Sequence, residues 1–121
     1  LKNFSKKLDK TKFSVFVNLS ARVGSINDNR LGGWISYRSS KAALNQIIKT
    51  SSIEINRRNK NAICVGLHPG TVKTRFTEKF QNTTETISPD ESVEMMMKVV
   101  ENLSVDDNGY CFAYDGKVIP A

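Results

Sequence analysis

The chain has 121 residues, of which 39% are hydrophobic and 25% charged, an ordinary composition for a globular protein. This length allows one small domain with a modest core. Lysine and arginine outnumber aspartate and glutamate by 18 to 12, and the resulting charge of +6 suits an anionic partner such as a dinucleotide phosphate. The basic residues are dispersed and not interleaved with aromatic residues, so we expect no nucleic-acid partner.

Cysteine and histidine usage argues against a metal site. Cys64 and Cys111 each lie in apolar surroundings and are expected to be small buried hydrophobes in a reducing compartment. These two distant cysteines and the single His68 supply too few ligands for a metal ion. No apolar run has the roughly 20 residues of a membrane-spanning helix, so we expect a cytoplasmic location without membrane contact.

The first half of the chain predicts a strand–helix–strand unit. Residues 14–19 and 62–67 are short apolar runs without polar alternation, which is typical of strands buried on both faces of a parallel sheet. Residues 35–58 between them have helical spacing. The predicted apolar face of this helix contains Ala42, Ala43, Leu44, Ile47, Ile48, Ser51, Ile53 and Ile55.

A second helix is predicted to begin after Ser88, which is a suitable N-cap, with Pro89 in the first turn. Its predicted buried side contains Val93, Met96, Met97, Val99, Val100 and Leu103. Residues 109–119 predict a closing strand with a turn at Asp115-Gly116. The fold class is therefore α/β, with an open parallel sheet of about three strands.

The candidate chemistry lies at the start of the long helix, where Tyr37 precedes Lys41 by one turn on the same face. A phenol has an ordinary pKa near 10, and a neighbouring ammonium lowers it toward the range useful for general acid–base catalysis. A Tyr-x-x-x-Lys pair alone is weak evidence. Its position is more informative, because ligands of open α/β sheets bind beyond the carboxyl ends of the strands, where the segment after His68 also lies.

Three segments in order carry a specific resemblance. They are Asn18-Leu19-Ser20, then Tyr37-Arg38-Ser39-Ser40-Lys41-Ala42-Ala43-Leu44-Asn45, then His68-Pro69-Gly70 with Val72 and Thr74. Together they resemble the short-chain dehydrogenase/reductase family. Residues 20–25, 32–38 and 115–120 are similar to its C-factor and Sniffer-type carbonyl reductase branch.

The resemblance implies that residues 1–121 are the C-terminal catalytic portion of such an enzyme. They would form the C-terminal half of a doubly wound, Rossmann-type parallel sheet, incomplete without the N-terminal strands. The family's glycine-rich phosphate turn, cofactor selector and catalytic asparagine would lie upstream of Leu1. Gly32-Gly33 does not replace that turn, because it follows no strand. We therefore expect the isolated chain to be inactive and, with unmatched sheet edges, poorly stable.

The resemblance also implies roles for individual residues in an NAD(P)-dependent oxidoreductase acting on a carbonyl or alcohol. Tyr37 would protonate the carbonyl oxygen, and Lys41 would hold the nicotinamide ribose and lower the pKa of Tyr37. The nicotinamide pocket and the pyrophosphate would be contacted by Pro69, Gly70, Val72 and Thr74. The cofactor is NADP or NAD, since the residues that select between them are not in this sequence.

One departure from the family concerns the serine that orients the carbonyl. The family's position is Ala21 here, so Ser25, which follows Gly24, and Ser20 are the two alternatives. Ser25 is slightly favoured, because Ser20 on a strand would face the other side. Either residue could instead be an ordinary loop or strand-end serine.

Three further expectations concern the surroundings of the site. His68 is expected to make a structural hydrogen bond and not to act in catalysis. An apolar substrate wall is suggested by Trp34, Ile35, Phe76 and Phe80, which could equally be core residues. Residues 73–86 resemble the family's mobile substrate loop.

An alternative from another class is a truncated, non-catalytic interaction or signalling module. In the family the helix that carries Tyr37 usually packs against its twin, so a homo-oligomer is expected through it. Cofactor binding by the 121-residue chain distinguishes the two functions, because an enzyme requires it and an interaction module does not.

Overall fold

Three parallel strands and one antiparallel strand form a single sheet in the computed structural model, which describes residues 3, 5–74 and 86–121. In chain order they are β1 (Ser14–Leu19), β2 (Ala62–His68), β3 (Cys111–Ala113) and β4 (Val118–Ile119), and this is also their order in the sheet. β1 pairs with β2 along its whole length, from Ser14 opposite Ala62 to Leu19 opposite Leu67. The first two predicted strands are thereby confirmed, with β2 one residue longer than expected.

The closing segment is a hairpin and not one long strand. β3 runs parallel to β2, and the chain then turns at Asp115-Gly116 so that β4 pairs antiparallel to β3. The predicted turn is confirmed, while Tyr110 and Tyr114 lie outside the three-residue strand that was expected to include them. The sheet therefore has four strands among the described residues, three of them parallel.

Two helices connect these strands. Helix α1 spans Ile35–Arg58, as the spacing predicts, and helix α2 spans Pro89–Glu101. The predicted start of α2 is confirmed, because Ser88 Oγ accepts a hydrogen bond of 3.2 Å from the Glu91 backbone N–H. Short 3-10 turns occupy Ser5–Lys7, Arg22–Gly24 and Val105–Asp107.

The helices cover opposite faces of the sheet, so the sheet is buried between two layers. On one face Ile48 and Ile55 of α1 pack with Ala62 and Cys64 of β2. On the other face the alternate residues of β2 pack with α2 and with the segment just after it, through Ile63, Val65, Leu67, Met96, Val99, Val100 and Leu103. β2 is buried on both faces, as expected of a central parallel strand. This is the predicted α/β fold of a half Rossmann-type sheet.

Some of the apolar helix residues that the pattern predicted to be buried are exposed. Ala43, Ile47 and Ile53 of α1 are exposed, and Val93 and Met97 of α2 are also exposed. Each helix contacts the sheet along one stripe of residues three or four apart, and these five residues lie off that stripe. The long apolar face predicted for each helix is therefore only partly buried.

The described part of the chain bears on the expectations about the cysteines, a metal site and a membrane-spanning helix. Cys64 and Cys111 are both free; burial raises the pKa of each thiol. No three potential ligands from histidine, cysteine and the acidic residues come together among residues 5–74 and 86–121. Within the same ranges, neither helix is long and apolar enough to cross a membrane.

Candidate active site

The Tyr37–Lys41 pair lies in the first two turns of α1, beside the carboxyl end of β1. The Lys41 Nζ is 5.9 Å from the centroid of the Tyr37 ring and donates a hydrogen bond of 3.3 Å to the Leu19 backbone oxygen. Tyr37 is 44% exposed and Lys41 is half-buried. The pair is thus accessible at the edge of the sheet where ligands of open α/β folds bind.

The 3-10 turn after β1 packs tightly against α1 at Lys41. A Cβ atom on Gly24 would lie 2.7 Å from the Lys41 carbonyl carbon and 2.8 Å from its Cβ, closer than side chains tolerate. A glycine at this position therefore lets the turn approach the helix backbone. The contact fixes the distance between the loop and Lys41.

Helix α1 begins in an unusual way. Gly32, Gly33 and Trp34 all have positive φ angles, of 64°, 71° and 48°, and Trp34 is the N-cap without a side-chain capping bond. The Arg38 guanidinium holds this left-handed run by donating to the Gly32 and Gly33 carbonyls at 3.0 to 3.2 Å. It also reaches the Val23 carbonyl at 3.4 Å. Arg38 was not singled out from the sequence, where its position directly after Tyr37 was the available signal.

Both candidate carbonyl-orienting serines are buried and hydrogen-bonded. Ser20 Oγ donates to the Asn45 side-chain oxygen at 2.6 Å. Ser25 Oγ donates to the Ala121 backbone oxygen at 3.2 Å and accepts from the Asp28 N–H at 3.0 Å. A hydroxyl that orients a carbonyl must donate its own proton, so either serine would first have to release its present acceptor. Their catalytic role stays a prediction.

The segment after β2 is held by the second helix and by a short parallel bridge. The Pro69 carbonyl accepts a hydrogen bond of 2.7 Å from Ser92 Oγ of α2, and Ser92 is buried. Val72 bridges Ile87, with bonds from the Ile87 N–H to the Thr71 carbonyl and from the Lys73 N–H to the Ile87 carbonyl. The backbone groups of Val72 itself therefore point away from Ile87. Thr74 follows this bridge and is exposed.

Gly70 has two reasons to be a glycine. Its φ angle is +81°, and a Cβ atom there would lie 2.9 Å from carbons of the Tyr114 ring. Only glycine fits both the left-handed turn and the close aromatic neighbour. The turn after β2 therefore packs directly on the closing hairpin.

His68 ends β2 beneath this turn. Its ring makes an edge contact with Tyr114, at 6.4 Å between centroids. Burial, assisted by the positive charge of Arg22 and opposed by Asp115, lowers the pKa of His68 to about 4, so the imidazole is neutral at physiological pH. Its Nδ1 atom is buried and has no hydrogen-bond partner among the described residues. The structural hydrogen bond expected of His68 is therefore not found at Nδ1 within that part of the chain.

The fold brings most of the predicted site residues to one edge of the sheet. Leu19 and Leu67 are paired neighbours, so the Tyr37–Lys41 pair beyond β1 and the segment from Pro69 beyond β2 begin side by side. Trp34 and Ile35 are 61% and 80% exposed, which excludes a core role for them in this chain. Phe76, Phe80 and most of the predicted loop 73–86 lie outside the described residues.

The chain is similar to several known oxidoreductases and carbonyl reductases. The chain is 36% identical over 98% of its length to an uncharacterized oxidoreductase of Schizosaccharomyces pombe, and covers 51% of that protein. Among solved structures, the NADPH-bound carbonyl reductase from chicken fatty liver is 39% identical over 88% of the chain and 42% of its own, with a TM-score of 0.74. The carbonyl reductase Sniffer of Drosophila melanogaster is 28% identical over the whole chain and 48% of its own, with a TM-score of 0.82.

No family model matches the sequence. The chain spans about half the length of the curated relatives it matches. The α/β fold, the order of the three sequence motifs and the similar proteins all indicate the same family. Over nearly its whole length the chain is therefore similar to proteins of the short-chain dehydrogenase/reductase family, among them the carbonyl reductase Sniffer.

Proposed function

We propose that residues 1–121 are the C-terminal catalytic portion of an NAD(P)-dependent oxidoreductase that interconverts a carbonyl and an alcohol by hydride transfer. The observation that carries this proposal is the Tyr37–Lys41 pair, with an accessible phenol and an ammonium 5.9 Å from its ring centroid at the carboxyl edge of the sheet. The oxidoreductase and carbonyl reductases to which the chain is similar support the same reaction class.

In this mechanism residues of the chain itself donate and accept the proton. Tyr37 Oη donates its proton to the substrate carbonyl oxygen as that carbon is reduced, which leaves a phenolate. The Lys41 ammonium stabilises that phenolate through its charge and so lowers the cost of the transfer. The Leu19 carbonyl keeps the ammonium at the end of β1. In the reverse direction Tyr37 accepts the alcohol proton.

The described residues fit a nicotinamide cofactor at this edge. An ammonium has three N–H donors, and the Leu19 carbonyl uses one of them, so Lys41 can also bind ribose hydroxyls. The family resemblance assigns Pro69 and Gly70 to the nicotinamide pocket, the backbone of Val72 to the carboxamide and Thr74 to the pyrophosphate, and all four residues follow β2 at this edge of the sheet. When bound, the cofactor supplies the hydride. The NADPH-bound relative favours NADP over NAD.

The carbonyl-orienting hydroxyl in this proposal belongs to Ser25 or Ser20. Ser25 would have to leave the Ala121 carbonyl, and Ser20 would have to leave Asn45. Ser25→Ala and Ser20→Ala distinguish them, because the orienting serine should lower kcat with little change in cofactor affinity. The other substitution should act mainly on stability, through the loss of a buried hydrogen bond.

The test of the acid–base pair uses the protein with its cofactor-binding half. Tyr37→Phe should lower turnover by about a hundredfold or more, the usual contribution of general acid–base catalysis, with NADPH affinity nearly unchanged. Lys41→Ala should lower both the turnover and the affinity for NADPH. Retention of most activity in Tyr37→Phe would rule out the proposed mechanism.

The chain offers a matched control pair. Lys49 Nζ lies 5.7 Å from the ring centroid of Tyr110, and Tyr110 is 49% exposed, close to the values for the catalytic pair. Tyr110→Phe and Lys49→Ala remove the same groups from α1 and the segment before β3. They should leave turnover and cofactor affinity within about twofold, which is a difference of less than half a kcal/mol.

One observation favours a second candidate function, an interaction module that works by association. Ala43, Ile47 and Ile53 leave apolar surface exposed on α1, so this helix offers a face for a second copy of the chain. Sedimentation of the 121-residue chain tests the module, and titration of the protein that includes the cofactor-binding half with NADPH tests the enzyme. Self-association of the chain that Ile47→Glu disrupts, together with no NADPH binding by the longer protein, would favour the module.

A further inference from the structure

A short hydrogen bond between Ser20 and Asn45 joins the end of β1 to helix α1, one turn beyond Lys41. Ser20 Oγ donates to Asn45 Oδ1 at 2.6 Å, and Ser20 is 5% exposed. The Ser20 backbone N–H donates to the Leu67 carbonyl at 2.9 Å, so the pairing of β1 with β2 extends to this residue and holds its backbone. Ser20 is therefore a fixed point from which the helix can be positioned.

A second hydrogen bond joins the same two elements at the preceding residue of the strand. The Leu19 carbonyl accepts from Lys41 Nζ at 3.3 Å. Lys41 and Asn45 lie four residues apart on one stripe of α1, as do Tyr37 and Lys41. Leu19 and Ser20 thus bind two successive turns of the helix that carries the candidate acid–base pair. We call these two hydrogen bonds the β1–α1 clamp.

The two bonds of the β1–α1 clamp differ in how firmly they hold. The Lys41 bond is exposed, and its donor is an ammonium on a flexible four-carbon stem that can turn toward a bound ligand. The Ser20–Asn45 bond is partly buried and is made by two short side chains. Asn45 Oδ1 also accepts from Cys111 Sγ of β3 at 3.4 Å, and a Cβ atom on Gly66 of β2 would overlap this sulfur. The Ser20–Asn45 bond therefore keeps α1 in place when a ligand engages Lys41.

We propose that Ser20 and Asn45 are positioning residues that hold Lys41 within reach of the nicotinamide ribose. This inference rests on the proposed function. A displacement of about 1 Å in a group that takes part in binding and catalysis can cost about a hundredfold in rate, so the position of α1 along β1 matters for the reaction. The inference also separates the two candidate serines. Ser20 is engaged by Asn45 for positioning, and the hydroxyl that orients the carbonyl is that of Ser25.

The test compares Ser20→Thr with Ser20→Val in the protein that includes its cofactor-binding half. Threonine and valine have nearly the same shape and crowd this buried position equally, but only threonine keeps the hydroxyl. Ser20→Val should weaken NADPH binding by about tenfold, the equivalent of one lost hydrogen bond, and should raise KM for NADPH more than it lowers kcat. Ser20→Thr should bind NADPH within about twofold of the wild type.

Asn45→Leu removes the acceptor on the helix side of the same bond. It should weaken NADPH binding as much as Ser20→Val does, and the double variant should be no weaker than either single variant, because all three lack one and the same bond. Cys111→Ala is the matched control, since it removes the other donor to Asn45 Oδ1 and leaves the clamp intact. It should lower the urea midpoint while NADPH affinity stays within about twofold.

Equal NADPH affinity in Ser20→Thr and Ser20→Val overturns the inference and does not affect the proposed function. A loss of affinity in Cys111→Ala as large as that in Asn45→Leu overturns it as well. If crowding unfolds both Ser20 variants, Ser20→Ala adds no atoms and must weaken NADPH binding as Asn45→Leu does. Full activity of Tyr37→Phe, with the Ser20 variants still differing in NADPH affinity, overturns the proposed function alone. A wild-type protein that does not bind NADPH overturns both.

Discussion

Replacement of Gly24 by alanine probes the contact on which the position of Lys41 depends. The new Cβ atom would lie 2.7 to 2.8 Å from the Lys41 carbonyl carbon, carbonyl oxygen and Cβ. The first two of these are helix backbone atoms, which cannot rotate away as a long side chain does. The 3-10 turn Arg22–Gly24 must therefore move away from α1 by several tenths of an ångström, or the start of the helix must move.

The cost of this overpacking should be about 1–3 kcal/mol of unfolding free energy, the usual range for an extra carbon in a closely packed interior. Gly116→Ala is the informative comparison. At Gly116 the φ angle is +83°, but a Cβ atom would meet nothing closer than 3.9 Å. Its cost should be about 1–2 kcal/mol from backbone strain alone, with no effect at the site.

The assay measures two quantities on each variant, the urea unfolding midpoint and the affinity for NADPH in the protein with its cofactor-binding half. Both substitutions should lower the midpoint. Only Gly24→Ala should also weaken cofactor binding, because it displaces Lys41 from the end of β1. Equal cofactor affinity in the two variants, at similar loss of stability, would refute the idea that this contact sets the position of Lys41.

Three further predictions follow from single interactions. Ser88→Ala removes the N-cap bond of α2 and should cost about 1 kcal/mol in urea unfolding, whereas Ser88→Asp should retain most of the stability. Ser92→Ala leaves the Pro69 carbonyl without its donor and should cost about 1–3 kcal/mol, with Ser40→Ala as the exposed control. Because the pKa of His68 is lowered to about 4 from 6.5, the unfolded chain takes up a proton first as the pH falls. Stability should therefore decrease between pH 6.5 and 4 by up to about 3 kcal/mol, and this part of the pH dependence should vanish in His68→Asn.

The elements that could be predicted from the sequence are those determined by local signals. β2 has an uninterrupted apolar run because helices cover both of its faces, and that run is visible without the structure. The start of α2 follows from Ser88, whose hydroxyl satisfies a helix-end N–H in any tertiary context. Tyr37 and Lys41 are placed together by helix geometry alone.

The remaining features depend on contacts distant in sequence, which periodicity does not contain. Val93 and Met97 are apolar residues at helical spacing, yet the sheet reaches only the neighbouring stripe of α2. Ser25 is chemically suited to orient a carbonyl, and only the fold shows that its hydroxyl bonds to Ala121, 96 positions away. The contacts of Arg38 with residues 32–34 could not be predicted from the sequence either. A glycine pair does not specify which side chain hydrogen-bonds to its carbonyls.

The start of α1 shows why the loop before it matters to the chemistry. A helix normally fixes its first turn with a capping side chain, and this one has none at Trp34. Its first turn is instead fixed by the Arg38 guanidinium and by the Gly24 contact with Lys41. Residues outside the Tyr37–Lys41 pair thus determine where the two side chains lie. Substitutions in residues 22–34 should consequently alter turnover at modest cost in stability, whereas substitutions around Ile48, in the buried middle of the same helix, should act on stability first.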